Sequence, residues 1–325
     1  MWKNVCWLLS MVMSLRVLCA SEHFRLKDHS QPEFFILGSP KCGTTSLWDL
    51  LVKHGEICKG IKEVNYFSMD SEYQKGTAYY MSRFDTHNCP HHHIDGSPGY
   101  LASPTALQRM MDTFTEFDFK RKRFIVVLRD PVYRAYSFFN YHMRHCITSM
   151  KSYMFNKTMP VNGWNVNELC GYFRCDPYRC KSKARFVKPK EEEAGLSTFR
   201  EYFDDGHAIR EHGQYIDFLM RWLKYVDRKQ LFVVNFDTLV ANTSNTANRL
   251  SVFLGLHQLF PPNISLPHDN PATVHTDFDC ETRRVLYGWW DFHTERLMQF
   301  MHNSSIGGEP HPAEPYFPVF HDYRC

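Results

Sequence analysis

The sequence predicts an α/β fold in which a central, mainly parallel sheet is flanked by helices in three layers. Short apolar runs alternate along the chain with longer amphipathic stretches, the order in which parallel strands and their crossover helices follow one another. The 325 residues are 43% hydrophobic and 15% aromatic, which supplies a sizeable core and excludes an intrinsically disordered chain.

The first half of the chain contains three predicted strands and the helices between them. Residues 33–37 (EFFIL) form a continuous apolar run, and the leucines of 44–53 then recur at helical spacing. Residues 92–95 are a short strand closed by the turn Gly-Ser-Pro-Gly, and 104–114 is a helix with proline in its first turn. Residues 124–128 (FIVVL) are the clearest strand of the sequence.

The second half continues the pattern after one interruption. An aromatic helix is predicted at 132–145, a strand at 231–236 (LFVVNF), and two later helices at 238–254 and 281–301. Residues 146–190 break the rhythm with closely spaced cysteines and a basic tail, which predicts a disulfide-rich insertion. Zinc binding by the same cysteines is the alternative, but an oxidising compartment favours bridges.

The N-terminus has the layout of a targeting segment. A lysine precedes an apolar run that Arg16 interrupts, so residues 1–20 are too short for a comfortable membrane span and are typical of a secretory signal peptide. A short signal-anchor is the alternative. In either case residues 21–325 are expected to form a single domain, with the insertion inside it, in the lumen of the secretory pathway.

Glycosylation sequons and cysteines agree with a luminal location. The chain has 11 cysteines, which suits a compartment where disulfides form. Asn-x-Ser/Thr sequons, the acceptors of N-glycans, begin at Asn156, Asn242, Asn263 and Asn303. Together with the leader, these features predict a glycosylated protein with disulfide bonds.

The strongest chemical signal is the loop between the first strand and the first helix, Gly-Ser-Pro-Lys-Cys-Gly-Thr-Thr at 38–45, here called the anion loop. A tight loop that enters a helix directs several backbone N–H groups to one place, where the helix dipole also favours an anion. Two glycines allow the backbone close to a phosphate, Lys41 adds a mobile cation, and two threonines add hydroxyl donors. Because the lysine stands inside the loop and not after its second glycine, the loop is P-loop-like but differs from that of nucleoside-triphosphatases.

A second anion site is predicted where the FIVVL strand ends. Arg129 follows this strand directly, at the edge of an open α/β sheet where ligands bind. Ser137 lies about two turns into the following helix and can point back to the same anion. A nucleotide that carries phosphate at two separated positions would engage both sites.

These two segments resemble a known family. FFILGSPKCGTTSL and RFIVVLRDPVYRAYS are similar to the 5′-phosphosulfate loop and the 3′-phosphate-binding segment of sulfotransferases that use 3′-phosphoadenosine 5′-phosphosulfate (PAPS). The likeness spans about residues 33–302. It is closest to the Golgi carbohydrate branch, which includes heparan sulfate N- and 3-O-sulfotransferases and the chondroitin N-acetylgalactosamine 4-sulfate 6-O type.

The resemblance implies a P-loop-like three-layer fold, PAPS as co-substrate, no required metal, and a location in the Golgi lumen or outside the cell. Lys41 would stabilise the leaving phosphate, and Glu63, in the segment KEVNYF, would be the general base. The implied donor-binding residues are Ser39, Lys41, Cys42, Gly43, Thr44, Thr45, Ser46, Arg129 and Ser137.

Two segments depart from the family pattern. Heparan sulfate 3-O-sulfotransferases carry a lysine where this chain has Gly96, which removes a catalytic cation and puts 3-O specificity in doubt. Residues 270–277 occupy the place of a basic loop that covers the nucleotide, but they contain no lysine or arginine. Two roles stay open: Asp95 contacts the acceptor or caps the next turn, and Lys62 is a neighbouring contact or a surface charge.

Other conspicuous residues receive structural interpretations. The three histidines at 91–93 do not converge easily on one ion, because successive strand residues point to opposite faces. The aromatic residues at 138–141 and 289–290 are interpreted as packing, and the basic run 120–123 as solvated surface. Cys42 is expected to stay a free thiol within the anion loop.

The predicted function is in-line transfer of the PAPS sulfuryl group to a hydroxyl or amine of a carbohydrate, a glycosaminoglycan or another glycan. The basic tail of the insertion would attract an anionic glycan, while the net charge of only +3 also allows a neutral one and argues against nucleic acid as a partner. Membrane contact is expected only through the N-terminal anchor. A tyrosine or small-molecule acceptor, and a non-catalytic nucleotide-binding protein, are the alternatives.

Overall fold

The computed structural model describes residues 31–84, 89–138, 141, 210–267 and 280–302. Within these residues, five strands pair in parallel to form one sheet in the order β2-β3-β1-β4-β5. The strands are β1 (Phe34–Gly38), β2 (Ile57–Cys58), β3 (His92–Gly96), β4 (Arg123–Leu128) and β5 (Leu231–Asn235). The predicted α/β fold with a mainly parallel sheet is confirmed.

Helices flank this sheet. In chain order they are α1 (Thr44–Leu51), α2 (Asp70–Tyr73), α3 (Gly76–Met81), α4 (Ala106–Thr113), α5 (Glu116–Arg121), α6 (131–138), α7 (Tyr215–Trp222), α8 (Phe236–Ala241), α9 (Thr243–Leu254), α10 (Cys280–Gly288) and α11 (Asp291–His302). Among the residues that the structure describes, no helix combines the length and the apolar character that crossing a bilayer requires.

Several predictions concern parts of the chain outside the described residues. They are the leader at 1–20, the insertion at 146–190, the segment 270–277, and the sequons at Asn156 and Asn303. The single domain at 21–325 therefore stays a prediction.

Strands β1, β4 and β5 are buried on both faces. Every residue of β1 and β5 is buried, and so is every residue of β4 after its first. Their side chains belong to one apolar cluster that also contains the inner faces of the surrounding helices. Because successive side chains of a buried strand point into both layers, the strands appear in the sequence as continuous apolar runs.

Three helix boundaries differ from the predictions, and a side-chain cap sets one of them. β5 ends at Asn235, whose Oδ1 accepts hydrogen bonds at 2.8 and 3.1 Å from two N–H groups of the next turn, so α8 begins at Phe236. The helix predicted at 238–254 is divided at Asn242 into α8 and α9, and the one predicted at 281–301 is divided into α10 and α11.

The strand order creates a crevice between β1 and β4. From β1 the chain proceeds through α1 to β2, on the far side of β3, whereas from β4 it proceeds to β5 on the opposite side of the sheet. The connections that follow β1 and β4 thus leave the sheet in opposite directions. Ligands of open α/β sheets bind at such a switch point, beyond the carboxyl ends of the strands.

One interpretation of surface charge was wrong. Lys122 was expected in a solvated basic run, but it is only 2% exposed, its Nζ donates to the carbonyl of Pro32 at 2.8 Å, and it lies 4.1 Å from the centre of the Phe114 ring. The long apolar stem of lysine favours this burial once the ammonium has a partner. Lys120 does lie at the surface, where it pairs with Glu116 at 2.6 Å.

A disulfide bond joins Cys58 of β2 to Cys89, just before β3, across a sequence separation of 31. It ties the edge strand β2 to the segment that enters its neighbour. Cys42 is a free, buried thiol, as predicted.

We expect replacement of both Cys58 and Cys89 by Ala to lower the free energy of unfolding by about 3–4 kcal/mol, because the bond restricts the unfolded chain. Chemical denaturation of the oxidised proteins measures the difference. An unchanged free energy of unfolding, with the bond verified in the wild type by mass mapping, would contradict this role.

Candidate active site

The anion loop is held between β1 and β4. The N–H of Ser39 donates to the carbonyl of Val127 at 2.9 Å, and the N–H of Cys42 donates to the carbonyl of Ser39 at 3.2 Å. The first hydrogen bond of α1 runs from Leu47 to Gly43 at 3.0 Å. The N–H groups of the three residues before Leu47 thus have no acceptor within the helix, and they are available to an anion.

Gly43 is required at its position by a close contact. Its φ of 81° is in the left-handed region, and a Cβ there would lie 2.5 Å from Cε2 of Phe236. On the same ring, the guanidinium of Arg129 lies 4.7 Å from the centroid. Phe236 therefore packs against both the anion loop and Arg129.

Arg129 lies beside the anion loop, as the two-site prediction requires. Its Nη1 donates a long hydrogen bond of 3.4 Å to the carbonyl of Lys41. The backbone carbonyl of Arg129 accepts a hydrogen bond from the hydroxyl of Tyr215 at 2.9 Å. The structure thus brings the cation that follows β4 next to the loop that follows β1.

The side chain of Lys41 lies over an aromatic ring. Its Nζ is 4.3 Å from the ring centre of Tyr141, which is 42% exposed. Partial burial, and then the nearby charge of Glu63, raise the pKa of Tyr141. Tyr141 therefore lies close to both Lys41 and Glu63. The interpretation of residue 141 as packing was wrong, whereas Phe138 does pack against a small apolar cluster.

Lys62 contacts both Thr45 and Glu63, so it is more than a surface charge. Its Nζ donates to Oγ1 of Thr45 at 2.8 Å and to Oε1 of Glu63 at 2.5 Å. The side chain of Lys62 is 19% exposed and that of Glu63 is 50% exposed. The predicted base is thus linked to the helix that follows the anion loop.

The backbone at Glu63 is fixed by the end of β3. The N–H of Glu63 donates to the carbonyl of Gly96 at 3.1 Å, and the side-chain amide of Asn65 donates to the carbonyl of Glu63 at 2.9 Å. Glu63 and Asn65 have φ values of 58° and 54°. Such left-handed conformations cost energy for residues other than glycine and are found preferentially at functional sites.

Asp95 forms buried hydrogen bonds that stabilise the segment around Glu63 and Asn65. It is fully buried and accepts hydrogen bonds from the hydroxyls of Ser97 at 2.6 Å and of Tyr80 and Tyr100, both at 2.9 Å. The Ser97 Oγ in turn accepts from the N–H of Asn65 at 3.0 Å. Of the two open roles for Asp95, its burial argues against contact with an acceptor, and its carboxylate bonds to the Ser97 and Tyr100 hydroxyls of the following turn.

A buried cation lies beneath the anion loop. Arg134 is fully buried, and its charge interacts with the thiol of Cys42 and with Tyr215. Burial, and then the charge of Arg134, lower the pKa of His212 to about 4, so this imidazole is neutral near pH 7. Because a charge acts more strongly in a poorly solvated interior than in water, Arg134 raises the positive potential of the loop above it.

Cys42 faces the interior. It is fully buried, its Sγ lies 3.7 Å from the hydroxyl of Tyr215, and burial raises the pKa of the thiol despite the nearby arginines. Any contact of Cys42 with a ligand would come from its backbone. Arg134 and Tyr215 were not predicted as parts of the site; the only local signal for Arg134 is a cation among apolar helix positions.

The other predicted site residues differ in burial. Ser39 is 1% exposed, and within the described residues its Oγ has no hydrogen-bond partner, which is unusual for a buried hydroxyl. Thr44 is 5% exposed. Ser46 and Ser137 are half-buried, and Ser137 lies on α6, whose first turn is capped by the carboxylate of Asp130 at 2.9 and 3.2 Å.

The histidines at 91–93 have different surroundings. His92 pairs with Glu33 and stacks on Phe34 with ring centres 4.9 Å apart, whereas His93 is buried beside Phe84. Among the described residues, no group of three or more His, Cys, Asp or Glu side chains is arranged to hold a metal ion.

A parallel sheet with an anion loop and an arginine at its switch point is the arrangement in which open α/β proteins bind phosphorylated ligands. The sulfotransferase domain matches residues 31–264, and the chain belongs to that family. Members of that family are sulfotransferases, and PAPS is their usual donor.

Curated relatives share this domain at low identity. A bifunctional heparan sulfate N-deacetylase/N-sulfotransferase of Drosophila melanogaster is 24% identical over 267 residues, which cover 78% of this chain and 22% of that protein. Human heparan sulfate glucosamine 3-O-sulfotransferase 5 is 23% identical over 76% of this chain and 59% of its own length. Human carbohydrate sulfotransferase 15 is 24% identical over 78% of this chain and 48% of its own length. The chain thus spans less than two thirds of each relative.

A solved structure confirms the fold. The crystal structure of a sulfotransferase from Alicyclobacillus acidocaldarius superposes with a TM-score of 0.53 and 22% identity, covering 84% of this chain and 96% of that one. The match concerns the arrangement of the sheet and its helices.

The buried Asp95 gives the stability of the fold a specific pH dependence. Burial raises its pKa from 3.8 to about 6, so between these values the folded state holds a proton that the unfolded chain has lost. This contribution is fully present below pH 3.8 and is lost as the pH rises through about 6.

We compare the wild type with Asp95→Asn. The difference between their free energies of unfolding, wild type minus variant, should fall by about 2 kcal/mol from about pH 4.5 to about pH 7.5. Urea denaturation of both proteins across this range measures it. A difference that stays constant or grows with pH would show that Asp95 does not titrate in this way.

Proposed function

We propose that this protein transfers the sulfuryl group of PAPS to a hydroxyl or amine of a glycan in the lumen of the secretory pathway. One observation carries the proposal: the anion loop and Arg129 lie side by side at the switch point, and Glu63 is linked to the same helix N-terminus through Lys62. The donor site, the cation that stabilises the leaving group and the base would then lie at one edge of the sheet.

The donor would bind with its two phosphate-bearing ends at the two predicted sites. The N–H groups at the start of α1, which have no acceptor within the helix, and the buried Ser39 hydroxyl suit the 5′-phosphosulfate. Arg129, with Ser137 on the helix that follows it, suits the 3′-phosphate. The buried charge of Arg134 strengthens binding of both anions without touching them.

The transfer step follows from these positions. Glu63 accepts the proton of the acceptor hydroxyl while the acceptor oxygen forms a bond to sulfur. The bond between sulfur and the 5′-phosphate oxygen breaks, and adenosine 3′,5′-bisphosphate leaves with the electron pair. Lys41 neutralises the charge that develops on this phosphate. We assign no metal to the step, since Lys41, Arg129 and the helix N-terminus supply the positive charge.

Several features support a glycan acceptor and a luminal location. The curated relatives are named for heparan sulfate and carbohydrate sulfation. The Cys58–Cys89 disulfide and the exposed sequon residues Asn242 and Asn263 suit an oxidising, glycosylating compartment. Near Lys41 and Glu63, the exposed ring of Tyr141 offers an apolar face on which a sugar can stack.

The structure also explains one departure from the family pattern. A Cβ at Gly96 would lie 2.7 Å from Cδ1 of Trp48, so the lysine of 3-O-sulfotransferases does not fit there without a shift of that ring. This argues for a sulfated position other than the glucosamine 3-hydroxyl.

The proposal is tested by radiosulfate transfer from PAPS to a panel of desulfated and sulfated glycans, a tyrosine peptide and small phenols. We expect transfer to a glycan. Glu63→Gln should lower turnover by about 10²–10⁴-fold through loss of the base, and Lys41→Ala by about 10²-fold or more through loss of leaving-group stabilisation.

Glu116→Gln, a change at an exposed helical carboxylate, is the matched control and should keep wild-type turnover. Glu63→Gln should still bind adenosine 3′,5′-bisphosphate. Transfer only to the peptide or a phenol would replace the glycan acceptor, and full turnover by Glu63→Gln would remove Glu63 as the base.

A further inference from the structure

We infer that Lys62 is a positioning residue, which holds the base Glu63 at the donor site by bonding at the same time to Thr45. The inference rests on the proposed function, in which Glu63 accepts the acceptor proton. It assigns to Lys62 a role that acts through Glu63 and not through direct contact with the sulfuryl group.

The ammonium of Lys62 lies between two functional elements. On one side it donates to Oγ1 of Thr45, the second residue of α1, and on the other to Oε1 of Glu63, at 2.8 and 2.5 Å. The base is therefore two hydrogen bonds away from the helix end that receives the donor anion. Lys62 is less exposed than Glu63, 19% against 50%, as expected for a group fixed against the protein.

Glu63 needs such a partner because only its backbone is otherwise fixed. The hydrogen bonds to Gly96 and from Asn65 hold the main chain of Glu63. Within the described part of the chain, the carboxylate has its hydrogen bond from Lys62 alone. A half-exposed glutamate without it would sample several rotamers, and a misplacement of about 1 Å at a reacting group costs about 10²-fold in rate.

The bond to Thr45 also has a consequence for the donor. A hydroxyl has one proton and two lone pairs, so when Thr45 accepts from Lys62, its own proton is directed elsewhere. At the N-terminus of α1, the partner of that proton would be a phosphate oxygen of the donor. Lys62 thus orients one donor contact and the base with a single ammonium group.

The test measures kcat and the donor KM of Lys62→Met in the radiosulfate assay. Methionine keeps a long apolar side chain and removes the charge and its hydrogen bonds. We expect kcat to fall by about 10²-fold, because the base is misplaced, while the donor KM rises only about threefold through the loss of order at Thr45.

The matched control is Lys53→Met, which removes an exposed lysine beyond the opposite end of α1 and should leave both constants unchanged. Thermal unfolding and binding of adenosine 3′,5′-bisphosphate verify that each variant is folded. Lys62→Gln serves as a second variant if methionine lowers stability.

A double-mutant cycle with Glu63→Gln separates this role from its alternatives. If Lys62 acts through Glu63, the change Lys62→Met should have less than about a twofold effect on kcat in the Glu63→Gln background. An equally large effect in that background, or turnover of Lys62→Met equal to that of Lys53→Met, overturns the inference. The proposed function fails separately, by absence of wild-type transfer or by full activity of Glu63→Gln.

Discussion

The contact between Gly43 and the ring of Phe236 is the packing constraint on which the candidate site depends. Because residue 43 has no side chain, the ring approaches the loop that follows β1, and Arg129, which follows β4, lies over the same ring. The guanidinium then reaches the carbonyl of Lys41. Two separate strand ends thus become one positively charged surface, which is what a ligand with two phosphate-bearing ends requires.

Buried polar groups serve this surface at a cost to stability. Arg134 is a charge removed from water, and its burial is unfavourable unless it is well compensated. Because Arg134 lies beneath the anion loop, its charge raises the positive electrostatic potential at the proposed donor site. Asp95 plays the corresponding part for the base, since its three hydroxyl partners fix the turn to which the backbone of Glu63 is attached.

The parts of the fold with a local signal could be predicted from the sequence. β1 and β4 are continuous apolar runs because both faces are buried, and the anion loop has glycine, lysine and threonine in a fixed order. β2 has only two residues and depends on its pairing with β3, so no pattern indicates it. Lys122 and Tyr141 were misplaced for a related reason: their partners, Pro32 and Lys41, are distant in the sequence. The role of Lys62 likewise appears only once α1 and the segment at Glu63 are adjacent.

The central claim is that one nucleotide joins the two anion sites, with its 3′-phosphate at Arg129. Calorimetric titration of the wild type and Arg129→Gln with adenosine 3′,5′-bisphosphate and with adenosine 5′-monophosphate tests it most directly. The account predicts that the substitution weakens binding of the bisphosphate by about tenfold or more, as expected for a lost charge-assisted hydrogen bond, and that of the monophosphate by less than about twofold. Equal losses for the two ligands, or no loss for either, would contradict it.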